Sequence, residues 1–209
     1  MRHSLNEVEV TLRKAAVGAG LPIGLAEDIS RAAAWLVAGG LDGAGAGLTA
    51  VEAGKTISSG VVMDDGTVRF DTSRIACDGP SAIDFLIAGQ GRVMAQMTKP
   101  DSILLMAGLA GAAAAVYGGA FRFEFDDGSA ATVVSAHGLD PAELPEAPVS
   151  VQISWQPEAG TALSTINTSG IEVEDGVWNR IVALAAKTYV PESEESRLQG
   201  AGAGLLDND

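Results

Sequence analysis

Apolar residues recur at helical spacing through the first forty positions. Ser4 and Glu7 stand at the spacing of a capping box, in which the serine hydroxyl accepts from the Glu7 amide. Two apolar stripes follow, with period three to four: Leu5, Val8, Leu12, Ala15, Ala16 and Ala19, then Leu25, Ile29, Ala32, Ala33 and Leu36. Leu21-Pro22 separates them, and Gly39-Gly40 ends the second. The pattern predicts an αα-hairpin whose second helix runs from about 24 to 37.

Alternating patterns farther along predict β-hairpins. Val61-Val62-Met63 and Val68-Arg69-Phe70 flank Asp64-Asp65-Gly66-Thr67, and the segments 120–125 and 130–134 flank Asp126-Asp127-Gly128-Ser129. Asp-Gly between two strand-like runs is a strong hairpin signal. Phe121, Phe123 and Phe125 alternate with polar residues, which predicts one buried aromatic face. The acidic pairs in these turns are therefore interpreted as turn residues and not as metal ligands.

The remaining segments extend the fold. Helices are predicted over 80–87, over Ile103–Tyr117 with Asp101 or Ser102 as cap, and over 177–187 with Trp178, Ile181, Val182 and Ala185 on its apolar face. Strands are predicted over 91–97, 149–155 and part of 161–173. The fold class is α+β, or α/β, with a helical hairpin before a mostly antiparallel sheet. The proline-rich stretch 140–148 divides the chain into 1–139 and 140–209, which we expect to form one globule.

Composition narrows the function. The 209 residues carry a formal net charge of −14, which disfavours contact with nucleic acids and anionic membranes. Cys77 is the single cysteine, so neither an intramolecular disulfide nor a multi-cysteine zinc site can form. Of the two histidines, His3 is expected to lie in a frayed terminus, which leaves His137. The opening residues lack a signal-peptide core and no run is long enough to span a membrane, so a cytoplasmic location is expected, with no metal and no cofactor.

Two segments carry candidate chemistry. Cys77 and Asp78 are placed at a strand-to-turn transition before a helix starting near Pro80, where Arg74 and the helix N-terminus would lower the thiol pKa and Asp78 would oppose them. Burial as a small apolar residue is the alternative for Cys77.

The second segment is the C-terminal stretch Thr188–Asp209. It contains GAGAGL at 200–205, which also occurs at 43–48, where it is expected to follow a helix and end it. Neither copy has the ending of a phosphate-binding loop. Ser193, Ser196 and Arg197 would share one face of a short helix, and Arg197 offers a planar fork for a carboxylate or phosphate. A solvated acidic tail is the alternative.

Several motifs resemble an uncharacterised bacterial domain family of unknown function. The resemblance rests on Ser4–Glu9, Lys14–Gly20 and Gly24–Glu27 near the start, on Ala76-Cys77-Asp78-Gly79-Pro80, and on the closing segment from Thr188. It implies no activity, catalytic residue or cofactor.

The sequence leaves two functional hypotheses, and enzymatic activity stays open. The first is a non-catalytic accessory or assembly protein, a homo-oligomer or the binder of a protein partner. The second is a small-molecule enzyme or binder for a small anionic metabolite. In the second, Ser193, Ser196 and Arg197 hold the anion, and Cys77, Asp78 and Glu194 are the catalytic candidates.

Overall fold

The computed structural model describes residues 2–54, 66–71, 74–141, 143–145, 149–157 and 170–189, and the backbone of residues 61–64. It has an α+β arrangement, as predicted. The helices in these residues are α1 (Leu5–Gly18), α2 (Ile23–Ala38), α3 (Gly43–Glu52), α4 (Ile75–Ala88), α5 (Ile103–Tyr117) and α6 (Asp175–Ala185), with a 3-10 turn at Ala186–Thr188.

The strands form two sheets. Their bounds are β1 (Arg2–His3), β2 (Val61–Asp64), β3 (Thr67–Phe70), β4 (Met94–Met97), β5 (Ala120–Phe125), β6 (Thr132–Ser135), β7 (Gly138–Asp140), β8 (Val151–Gln156) and β9 (Ile171–Glu172). The larger sheet has the order β2-β3-β4-β8-β5-β6-β7 and is antiparallel except between β3 and β4. The smaller pairs β1 with β9. The expectation of a mostly antiparallel sheet is confirmed.

Helices cover one face of the large sheet. α4 and α5 pack on the strands, α2 packs on α5, α1 on α2, and α6 on α1. Residues facing α4 and α5 are buried, while the alternate residues of the same strands are exposed or half-buried. Because successive side chains in a strand point to opposite faces, one face joins the core and the other is left uncovered by the described residues.

The N-terminal hairpin forms as its sequence predicts. Ser4 caps α1 and accepts from the Glu7 amide at 3.1 Å. The expectation that His3 frays is wrong. It pairs with β9, only 6% of it is exposed, and its ring stacks on Trp178 with centroids 3.8 Å apart. Stacking on the Trp178 ring of α6 buries the His3 ring and holds the terminus in place.

The first GAGAGL copy does not end a helix, as was expected, but begins α3. Asp42 caps this helix and accepts from the Gly45 amide at 2.8 Å. Gly43 lies against the Ala33 carbonyl of α2, and Gly47 against the Leu12 side chain of α1, so that a Cβ at either position would overlap them. Close packing on two neighbouring helices therefore outweighs the poor helix propensity of glycine.

Helix α4 starts five residues earlier than expected. It begins at Ile75, so Cys77 and Asp78 lie in its first turns and Pro80 inside it. The first helical N–H groups need no intrahelical acceptor, and here carboxylates satisfy two of them, which allows the early start. The sequence prediction placed Pro80 in the first turn of the helix, where proline is common, and therefore started the helix too late.

Helix α5 has the predicted bounds, with Ser102 accepting from the Leu105 amide at 3.0 Å. Its glycines approach α2: Gly108 faces the Ala32 carbonyl and the Leu36 side chain, and Gly111 faces the ring of Trp35. Trp35 Nε1 donates to the Ala136 carbonyl at 3.1 Å, which ties α2 to the turn between β6 and β7.

Both predicted hairpins form, although the paired part of the second is shorter than predicted. Asp64 pairs with Thr67 across the first turn, where Gly66 has φ of +79°. In the second, Phe123 pairs with Thr132, and residues before Thr132 do not join the strand. Phe121 and Phe123 are fully buried, whereas Phe125 at the end of β5 is half-buried.

The C-terminal elements pack onto earlier ones. β8 lies between β4 and β5 in the middle of the large sheet. α6 buries Trp178, Ile181 and Ala185 as predicted, but Val182 is 43% exposed. Val182 thus lies at the edge of the predicted apolar stripe, outside the buried face of the helix.

Candidate functional site

Carboxylates occupy the N-terminus of α4, where Cys77 lies. The Arg74 amide donates to Asp78 Oδ2 at 2.8 Å, and the Ile75 amide donates to Asp101 Oδ1 at 2.9 Å. Arg74 also reaches the Ala53 carbonyl at 2.7 Å and lies 3.8 Å from Asp101. These contacts give Asp78, 8% exposed, and Asp101 structural roles at the helix start.

The structure brings Cys77 and Asp78 together on one helix but does not describe the rest of the predicted site. Cys77 is half-buried. Ser193, Glu194, Ser196 and Arg197 lie outside the described residues, as does the second GAGAGL copy. The anion-holding hypothesis therefore stays a prediction. The two carboxylates at the α4 N-terminus disfavour an anion there, since like charges repel.

The acidic turn residues make local hydrogen bonds. Asp126 Oδ1 accepts from the Ser150 amide at 3.0 Å, joining the end of β5 to the approach of β8. Asp127 Oδ1 accepts from the Ser129 amide at 2.9 Å. Across the part of the chain that the structure describes, no three His, Cys, Asp or Glu side chains are grouped so that they could hold a metal ion.

The pKa values of Asp28 and Asp127 are shifted in opposite directions. Partial burial raises the pKa of Asp28 on α2, Arg31 opposes that rise, and Asp84 and Glu27 add to it. The hydrogen bond from the Ser129 amide lowers the pKa of Asp127. Relative to the unfolded chain, the fold therefore disfavours the negative charge of Asp28 and favours that of Asp127.

Asp28→Asn is expected to raise the melting temperature at pH 7, because it removes a carboxylate whose charge the fold disfavours. The pKa of such a carboxyl is higher in the folded than in the unfolded protein. Its charge therefore destabilises the fold at pH values above the folded pKa, and this effect disappears at pH values below the unfolded pKa. The gain should therefore vanish as pH falls below 3.8, the ordinary value. Thermal melts from pH 3 to pH 7 measure it.

Asp127→Asn is the control of opposite sign. It removes a carboxylate that the fold favours in its ionised form, so it should lower the melting temperature at pH 7 and lose its effect in acid. Equal shifts of the same sign for both variants would contradict the assignment.

The two histidines lie in different surroundings. His3 Nδ1 lies 3.1 Å from Glu7 Oε1 without hydrogen-bond geometry, and both of its ring nitrogens are buried without hydrogen-bond partners. His137 lies in the turn between β6 and β7, where its amide donates to Ser135 Oγ at 3.2 Å.

The uncovered face of the large sheet carries an ordered set of mostly polar side chains. We call it the open face, and define it by the outward residues of the four strands β3, β4, β8 and β5: Thr67, Arg69, Met94, Gln96, Gln152, Ser154, Arg122 and Glu124. The strand register arranges them in two rows. One row reads Arg69-Gln96-Gln152-Glu124 and the other Thr67-Met94-Ser154-Arg122.

Two side-chain contacts lie within the open face, and one of them involves Glu124 at its acidic end. Arg122 Nε donates to Glu124 Oε1 at 2.8 Å, and Gln152 Nε2 lies 2.9 Å from Met94 Sδ. Arg69, at the other end of its row, is exposed and makes no ion pair with any residue in the described ranges. The first row therefore runs from a cation on β3 to a carboxylate on β5, with two neutral amides between.

Sequence reasoning missed the open face. The alternation in β5 and β8 was a usable signal, because it marks Arg122, Glu124 and Gln152 as outward. The row itself depends on β8 lying between β4 and β5, an order that local patterns do not contain. The charges at its two ends belong to residues 55 positions apart in the chain, Arg69 and Glu124.

The fold and its faces define an α+β protein with a helical layer on one side of a mixed sheet. Residues 3–59 match the model of a family described as "Protein of unknown function (DUF3726)". The matched stretch contains α1, α2 and α3. Over these residues the chain is similar to an uncharacterised domain family, which confirms the predicted resemblance to a family of unknown function.

The match does not reach the other motifs. Ala76–Pro80 and the closing segment lie outside residues 3–59, and a bacterial origin stays a prediction. No curated protein matches the chain, and no solved structure does. Among the described residues, no helix has both the length and the apolar character needed to cross a membrane.

Proposed function

We propose that this protein is an accessory or assembly protein that acts through protein contacts, and that the open face makes them. The observation that carries the proposal is the row Arg69-Gln96-Gln152-Glu124, which spans four neighbouring strands of a helix-backed sheet. An antiparallel sheet can leave one face in water, so exposure by itself is not the argument. The argument is the order of charges and the mixture of side chains.

The side chains of the open face suit a protein partner. Arginine and methionine are enriched in protein interfaces, and the face presents Arg69, Arg122 and the 39% exposed Met94. Gln96 and Gln152 at its centre can each donate and accept hydrogen bonds. Helices α4 and α5 support the strands from behind, so the face is held in place before any partner binds.

Site-specific photo-cross-linking tests the proposal. A photoreactive benzophenone amino acid replaces Gln96 at the centre of the open face. In the control variant it replaces Arg31 on helix α2, whose side chain is 57% exposed. In the source organism, irradiation of the Gln96 variant is expected to give protein adducts, identified by mass spectrometry, that the Arg31 variant does not give.

Two outcomes contradict the proposal. Adducts of equal yield and identity at both positions would indicate unspecific contact. The absence of any adduct at Gln96, in a variant that melts like the wild type, would remove the open face as a contact surface. Light scattering on the purified wild type shows separately whether the chain associates with itself.

A further inference from the structure

We infer that the partner of the open face is a second copy of this chain, bound through a two-fold axis parallel to the strands. This inference rests on the proposed function and names the partner of the same surface. The axis passes over the gap between β4 and β8. It places β3 of one copy over β5 of the other, and β4 over β8.

The order of charges along the first row carries the inference. The row reads positive, neutral, neutral, negative, so a two-fold rotation about its centre sets Arg69 opposite Glu124 of the other copy and Gln96 opposite Gln152. A two-fold interface joins the same patch of both subunits and must be self-complementary. Every residue of this row then faces a group with which it can form an ion pair or a hydrogen bond.

The second row is compatible with the same axis. It sets Thr67 opposite Arg122 and Met94 opposite Ser154, so no like charges face each other in either row. Glu124 already accepts from Arg122 in its own chain, whereas Arg69 makes no ion pair with the described residues. A carboxylate has room for two such donors. The dimer therefore supplies Arg69 with a partner without breaking the Arg122 contact.

The size of the face indicates a weak contact. Its four strands, about 4.8 Å apart and four to six residues long, present roughly 300 Å² per copy. The total buried area lies below the range for stable specific interfaces, where weak and transient contacts are found. We therefore expect a concentration-dependent dimer with a dissociation constant on the order of 0.1–1 mM.

Charge reversal at the two ends of the row tests this dimer. Arg69→Glu and Glu124→Arg are each expected to weaken dimerisation by about five- to tenfold, because each sets two pairs of like charges opposite each other. The double variant Arg69→Glu/Glu124→Arg restores opposite charges and should dimerise within about threefold of the wild type. Sedimentation equilibrium up to millimolar protein measures all four constants.

Net charge provides an internal control. Glu124→Arg makes the chain less acidic than −14, so unspecific repulsion between copies falls and association would strengthen if no specific pairing existed. Weakening by this variant is thus the informative result. Arg31→Glu changes the charge as much as Arg69→Glu but on the helical side, and it should weaken dimerisation less than Arg69→Glu does.

A zero-length cross-link tests the geometry. Arg69→Lys supplies an amine that carbodiimide can couple to Glu124 of the other copy. Within one chain the two positions are three strands apart, about 14 Å, too far for direct coupling. Mixing chains labelled with ¹⁴N and ¹⁵N should give mixed-mass peptides joining positions 69 and 124, and their absence beside other cross-linked dimers would overturn the two-fold arrangement.

The outcomes separate this inference from the proposed function. A wild type that stays monomeric at millimolar concentration, or dimerises as tightly with Glu124→Arg, overturns the dimer. If position 96 still cross-links to a different, identified protein, the open face keeps its function with another partner. If it cross-links to nothing, both fail. Melting curves of each variant confirm that the fold is intact.

Discussion

Phe123→Ala is expected to destabilise the protein by about 3–5 kcal/mol, the usual cost of truncating a fully buried phenylalanine. Phe123 is 0% exposed in β5, and its cross-strand neighbours Ile153 and Thr132 are fully buried as well. β5 lies between β8 and β6, so the cavity would open where the sheet meets the helices. Against a typical total stability of about 5–15 kcal/mol, this is a large fraction.

Phe125→Ala is the matched control, two residues farther along the same face. Phe125 is half-buried at the end of the strand, so we expect a loss of only about 1–2 kcal/mol. Urea denaturation followed by tryptophan fluorescence and circular dichroism measures both. Equal losses for the two variants would contradict the position of the core at this end of β5.

Gly111→Ala is expected to destabilise the protein by about 2–3 kcal/mol, although alanine is the better helix former. A Cβ at position 111 would overlap three ring carbons of Trp35. That ring cannot easily move aside, because Trp35 Nε1 donates to the Ala136 carbonyl. For a chain of this length the loss corresponds to a fall in melting temperature of about 4–12 °C.

Gly24→Ala makes the same change where nothing lies within 4 Å, and it should leave stability unchanged or raise it by up to about 1 kcal/mol. A double-mutant cycle with Trp35→Leu then isolates the contact. If the ring causes the loss, Gly111→Ala should cost less than about 1 kcal/mol in the Trp35→Leu background. An unchanged cost there would assign the effect to another neighbour.

Local signals predicted the elements whose ends depend on nearby residues. Ser4 caps α1 and Ser102 caps α5 through amides three residues on, and both helices start where those side chains place them. The two Asp-Gly turns are also determined locally, because Gly66 and Gly128 adopt the positive φ that such turns require. These features need no contact from a distant part of the chain.

Elements stabilised by distant contacts were predicted less well. Gly43–Leu48 looked like a helix end because glycine is a poor helix former, yet α1 and α2 accept it as the start of α3. The start of α4 was missed because one of its amides pairs with Asp101, 26 residues away from Ile75. His3 was expected to fray because Trp178 lies at the other end of the chain.

The sequence by itself limited the fold class to α+β or α/β, and it determined the helical hairpin, the two Asp-Gly turns and the alternation that makes one side of each strand polar. The tertiary structure decided which strands are neighbours, and with that the row from Arg69 to Glu124. The physical reason is range. Caps, turns and periodicity act over two to four residues, whereas the order of strands depends on burial summed over the whole sheet and the helices that cover it.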